Sequence, residues 1–401
     1  MSAADPVQKI SDWLMEQGLS EGSYDALLAG FCERLNDAGI PVQRSMLAMR
    51  TLHPTIDARG FIWQRGRDVD VDNFTTDRGP TEQFLQSPLA HLLENRDMLE
   101  IRRILTGPDA VFDFPVLGEL REQGITDYVI RKVPFRVASL QGYESGMLIS
   151  WATDAPGGFT SSCLTALRRL APRLALVMNN RLLREITLNV LDTYVGHQAG
   201  ERILSGEISR GSLQDIDAAI LFMDLRGFTA LSDRSTGAVM AALLNDYFER
   251  IVPPVIDRGG EILKYMGDGV LATFSLEHLN DEMVCVTALN AAIEALQNVR
   301  TWNEERRAAG DPAMDLDIAV HLGRVQFGNV GAGNRLDFTV IGAAVNEASR
   351  IEALCDTLGR HLVVSEKFAG AATRCTGRLL SLGRHGLRSV SGDQELFTVE
   401  Y

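Results

Sequence analysis

The chain has 401 residues, 45% of them hydrophobic and 23% charged, with a formal net charge of −14. That composition excludes a disordered or fibrous chain. An acidic balance also excludes sequence-independent binding to nucleic acid, which needs a basic face.

At roughly 150 residues per domain, the length predicts two or three domains. No apolar run reaches the 18 or so residues of a membrane-spanning helix. The opening Met-Ser-Ala-Ala-Asp-Pro lacks the basic-then-apolar pattern of a secretory leader, so a cytoplasmic protein is expected. Five scattered cysteines (Cys32, Cys163, Cys285, Cys355 and Cys375) fit neither a disulfide framework nor a zinc site, and read as buried free thiols.

In chain order, residues 22–38 carry Leu27, Leu28, Phe31 and Leu35 at helical spacing. Strand-like runs follow at 43–52, 60–65, 127–131 and 146–152. After the turn-forming Asp154-Ala-Pro-Gly-Gly158, Thr160 and Ser161 can cap a helix bearing Leu164, Leu167, Leu170, Leu174 and Val177. The stripe continues to Leu191, with Gly196 and Gly200 as punctuation, and reads as a rigid linker or a dimerising coil. A buried strand is expected at 217–223, a helix at 235–256 and a hairpin at 261–274. A helix at 281–307, a strand at 315–321, a Gly-rich hairpin at 323–333, a strand at 337–341, a helix at 344–356 and closing strands at 376–400 follow. Strand–helix–strand–strand–helix–strand is the ferredoxin-like order, an α+β architecture with helices against an antiparallel sheet.

Asp224 ends the first of these strands, and Asp268 sits between two glycines at the hairpin tip. Singly, each reads as a turn residue. Together, two carboxylates on rigid strands can hold Mg²⁺ over an open edge, with phosphates and water completing its shell. Gly227 would let a phosphate approach the backbone. Asn346 and Arg350 lie four apart and share a helix face.

Three blocks in order carry a resemblance: Phe222-Met-Asp224-Leu-Arg-Gly227-Phe-Thr229, Lys264-Tyr-Met-Gly-Asp268-Gly-Val-Leu-Ala-Thr-Phe274 and Gly342-Ala-Ala-Val-Asn346-Glu-Ala-Ser-Arg350. Residues 212–401 resemble the catalytic domain of class III nucleotidyl cyclases. The resemblance implies that Asp224 and Asp268, with the backbone of Leu225, hold two divalent cations, Mg²⁺ or Mn²⁺. It implies that Gly227, Phe228 and Thr229 meet the triphosphate. Asn346 would orient the ribose and Arg350 stabilise the α-phosphate in the transition state. Lys264 and Thr339 would select the base. An ammonium suits adenine N1, and Thr stands where many adenylyl cyclases carry Asp, as in a bacterial Lys/Thr subgroup. Arg388 takes the place of a phosphate-binding Lys in the closing strand.

The implied enzyme is an adenylyl cyclase making cyclic AMP and pyrophosphate from ATP at a homodimer interface. A guanylyl or relaxed-specificity cyclase and a catalytically silent nucleotide-binding module are the alternatives. Residues 1–185 are similar to a GAF-type domain in their strand pattern and final helix. That domain is open to two readings, a sensor of a small molecule or a ligand-free dimerisation module. Trp63, Trp151 and Cys163 are read as core. Residues 186–211 would join the two domains as a helical transducer.

Overall fold

The computed structural model describes residues 5–51, 56–75, 79, 81–135, 146–232, 236–276, 280–333, 335–372, 378–388, 390 and 392–399, without the side chains of 57, 229 and 230. The chain divides into two compact units, Met1–Val190 and Leu191–Tyr401. Cys375 lies outside the described residues; the other four cysteines are buried.

In the first unit, α1 (Pro6–Gly18) starts on an Asp5 cap with proline in its first turn, and α2 (Tyr24–Asp37) on a Ser23 cap. Next come β1 (Arg44–Arg50), β2 (Ile56–Gln64), β3 (Asp70–Thr75), α3 (Glu82–Leu85), α4 (Pro88–Glu94), β4 (Glu100–Ile104), α5 (Pro115–Glu122), β5 (Asp127–Pro134), β6 (Gly146–Thr153) and α6 (Ser161–Val195). The strands form one antiparallel sheet in the order β3-β2-β1-β6-β5-β4.

Period-two alternation gives that sheet two apolar faces. Leu47, Met49, Val129, Ile149 and Trp151 pack with α1, α2 and the first half of α6, while Ile101, Tyr128, Ile130 and Leu148 pack with α4 and α5. Trp63, Trp151 and Cys163 are core. The stripe from Leu164 to Val177 is spent on this core. Thr160 caps α6 by accepting from the Cys163 amide at 3.2 Å. The expected break at Gly200 is absent: Gly196, at φ +95°, ends α6, and Gly200 lies inside α7 (His197–Leu204).

The second unit continues from α7 with β7 (Leu213–Arg226), α8 (Phe228–Ser232), α9 (Gly237–Ile251), α10 (Pro253–Ile256), β8 (Glu261–Met266), β9 (Gly269–Ser275), α11 (Asp281–Ala309) and β10 (Asp315–Ala332). It then runs through β11 (Arg335–Ile341), α12 (Ala343–Glu352), α13 (Cys355–Leu358), β12 (Leu362–Ser365), α14 (Glu366–Ala371), β13 (Leu379–Gly386) and β14 (Asp393–Val399). The sheet order is β13-β14-β12-β10-β7-β9-β8, with β11 paired to β10. Within it, β10-β7-β9-β8 with α9 and α11 is the expected βαββαβ arrangement. β7 is central and apolar on both sides. Leu221, Met223 and Leu225 pack with α9 and α11, and Ala218 and Ile220 pack on the opposite face with Ala344 and Ala348 of α12.

Two expectations need correction. The helix expected over 235–256 is two helices, because Pro253 opens α10 where it cannot continue the α9 ladder. The segment 323–333 is not a hairpin, since β10 runs through it for 18 residues and turns only between Ala332 and Arg335. Its glycines serve close approach instead. A Cβ on Gly328, at φ +153°, would sit 2.0 Å from the Ser212 carbonyl oxygen. Gly328→Ala should therefore destabilise this unit by about 2–3 kcal/mol, read as a lower denaturation midpoint.

Candidate active site

Asp224 lies two residues before the end of β7, opposite Asp317 of β10 in the ladder. The β8–β9 turn brings Asp268 against it. Gly269 leaves the room, for a Cβ there would stand 3.1 Å from Asp224 Oδ1. Burial, and then the Asp268 carboxylate, pushes Asp224 up to about 6. Burial also raises Asp268, while backbone N–H groups, including that of Leu225, favour its ionised form. Like charges held together are costly unless a cation joins them.

The surroundings add negative charge. Asp317 takes a bidentate pair from Arg226 (Nε–Oδ2 2.9 Å, Nη2–Oδ1 2.8 Å), and His361 Nδ1 lies 2.9 Å from Oδ1. Arg226 also meets Asp356 at 3.3 Å, so its guanidinium is committed. Glu352, at the end of α12, is pushed up to about 7 by burial and by Asp224, Asp317 and Asp268. Burial and the same carboxylates raise the Tyr247 phenol. Among the described residues no Lys or Arg forms an ion pair with Asp224 or Asp268. No set of three or more His, Cys, Asp or Glu gathers as a closed metal site among those residues either. Two hard, unneutralised oxygen donors in an acidic environment fit a divalent cation that keeps water and phosphate in its shell.

A second group of residues meets at β8 and β11. Phe338 and Val340 of β11 pack inward with Leu263 and Leu271, which carries β11 over to the hairpin. Lys264 Nζ donates to Asp337 Oδ2 at 2.6 Å, and Thr339 lies two residues further along the same face. Lys264 and Asp268 are four residues apart yet reach different partners. Asn346 is exposed and Arg350 half-buried on α12, and neither makes a side-chain hydrogen bond among the described residues.

Other expected site residues are dispersed. Gly227, at φ +79°, turns the chain from β7 into α8, with Phe228 partly buried against the core. The Thr229 side chain lies outside the described residues. Leu225 is buried and available only through its backbone. Arg388 is not on a strand; β13 ends at Gly386, and Arg388 is exposed in the turn that follows. Asp317 and Asp337 were missed by sequence reasoning. The Asp337 signal was present, since alternation in Asp337-Phe-Thr339 puts both polar residues on one face.

Residues 213–397 match the family model of the adenylate and guanylate cyclase catalytic domain. This segment is a class III cyclase catalytic domain. It contains the carboxylate pair, the Lys264–Asp337 pair and α12. The chain is 38% identical over 151 residues to an adenylate cyclase of Anabaena cylindrica, covering 37% of this chain and 29% of that protein. It is 28% identical over 326 residues to an uncharacterised protein of Mycobacterium tuberculosis, covering 80% of this chain and 55% of that one. The chain thus spans about half the length, or less, of these curated relatives. A crystal structure of an adenylyl cyclase from P. aeruginosa shares 24% identity at a TM-score of 0.43, over 47% of this chain and 96% of that one. Among the described residues no helix is long and apolar enough to cross a membrane.

Proposed function

We propose that the cyclase domain converts ATP to 3′,5′-cyclic AMP and pyrophosphate in a cytoplasmic homodimer, under the control of a GAF-like first unit. The observation that carries this reading is the Asp224–Asp268 pair, held together with no cationic partner among the described residues. Asp224, Asp268 and the Leu225 backbone would hold two Mg²⁺ or Mn²⁺ ions. When bound, such ions lower the pKa of the ribose 3′-hydroxyl and neutralise the triphosphate.

In this reading Lys264 donates to adenine N1, and Thr339 lies beside the base. Asn346 orients the ribose. Arg350 lies against the α-phosphate, where charge builds as the 3′-oxygen–phosphorus bond forms and the bond to pyrophosphate breaks. The backbone of Gly227, Phe228 and Thr229 lies along the triphosphate, and Arg388 offers a second guanidinium fork.

Two features support a paired enzyme. Lys264 and Asp268 turn to different partners, as a site shared between two copies requires. On α6, Leu176, Leu183 and Val190 recur every seven residues and are 61%, 51% and 38% exposed, an apolar seam that a second copy could cover.

The test is production of cyclic nucleotide from ATP and from GTP by the purified chain, with Mg²⁺ or Mn²⁺. Cyclic AMP should predominate, and a chain starting at Leu191 should differ in rate from the whole. Equal cyclic GMP would overturn the ATP assignment. No product with either nucleotide would leave a silent module.

A further inference from the structure

The geometry points to Asp337 as a specificity-determining residue that reads the base together with Lys264, one carboxylate oxygen fixing the ammonium and the other accepting from the exocyclic amino group of adenine. This inference rests on the adenylyl cyclase reading and goes beyond the Lys264 and Thr339 assignments.

The pair is short, with Lys264 Nζ 2.6 Å from Asp337 Oδ2. Among the described residues Asp337 Oδ1 has no hydrogen-bond partner, so that oxygen is available to a ligand. The side chains are 46% and 52% exposed, and such a pair adds little to stability. The strand that carries Asp337 is nevertheless rigidly backed. Phe338 packs edge-on against Phe327 at 4.7 Å, and Val340 is buried beside it. Asp337 and Thr339 therefore face outward from a fixed strand, just before the turn into α12 with Asn346 and Arg350.

The chemistry favours a charged reader. A threonine hydroxyl both donates and accepts, so Thr339 alone cannot rank two bases by their edges. An ammonium only donates and a carboxylate only accepts. Adenine presents an acceptor, N1, beside a donor, the 6-amino group. Guanine presents N1–H and O6, the same two functions in reversed order. A fixed Lys264–Asp337 pair thus matches adenine, whereas with guanine it sets donor against donor and acceptor against acceptor. It supplies the acceptor that a Thr at position 339 leaves undefined.

The experiment is Asp337→Asn, which keeps the shape and adds a donor. The kcat/KM for ATP should fall about tenfold, mainly through KM, while that for GTP holds or rises. In a Lys264→Ala background the same change should cost ATP less than about threefold, because the two residues act as one unit. Melting temperatures separate these effects from misfolding. Equal losses for ATP and GTP, or full additivity with Lys264→Ala, would overturn the inference. Equilibrium binding of ATP and GTP to both proteins makes the comparison without turnover. An inactive wild type that still loses ATP preference on Asp337→Asn would sink the enzymatic reading and keep Asp337 as base reader.

Discussion

Mixing Asp224→Ala protein with Arg350→Ala protein should restore roughly a quarter of wild-type cyclase activity from two preparations that are each nearly inactive. Asp224 belongs to the carboxylate pair at the end of β7, whereas Arg350 projects from α12 with no side-chain partner of its own among the described residues. If each site takes its carboxylates from one subunit and its Lys264, Asn346 and Arg350 from the other, every homodimer of either variant carries a lesion in both sites. A mixed dimer gathers both lesions into one site and frees the other. Random exchange makes about half the dimers mixed, each with one good site of two. The measurement is activity against mixing ratio, with subunit exchange followed independently by a tag on one variant. No recovery despite exchange would mean that each chain builds its site alone.

Asp268→Asn should lower kcat by about 10²–10³-fold while making the metal-free protein more resistant to heat. On the proposed reading the change removes a metal ligand, and with it charge that the reaction needs. Losing the same charge also relieves Asp224, whose ionised form is disfavoured by burial and by Asp268. The two effects have opposite signs, which separates loss of function from loss of fold. Mn²⁺ at a hundred times its dissociation constant should stabilise the wild type by roughly 2.7 kcal/mol, read as a higher melting temperature. It should leave Asp268→Asn nearly unmoved. A variant that melts lower than the wild type without metal would show that the pair is a structural hydrogen bond.

The parts of this fold that were legible in the sequence are those where one physical signal dominates. The β7 run is buried on both faces and reads as unbroken apolar residues up to Asp224, and Gly267-Asp268 between two strand patterns reads as a tight turn. β3 was invisible because it is an edge strand exposed along its whole length, without alternation. β12 was missed because it is only four residues long, between two short helices. The glycines of β10 misled, since a glycine that admits a neighbouring backbone looks in sequence like one that makes a turn. Asp317 could not be found by spacing, for its partner Arg226 is 91 residues away and meets it only through the ladder.

β10 also sets the phase between the carboxylate pair and the strand that carries Asp337 and Thr339. Through Asp317 it faces Asp224, and through Gly328 it faces Thr339. One unbroken strand therefore measures the offset between the carboxylate end and the Thr339 end in whole residues. Deleting a single residue between these positions cannot shorten that offset slightly. It would turn one of the two ends over to the opposite side of the sheet, because side chains alternate with a period of two. The segment should accept changes of side chain far more readily than any change of length.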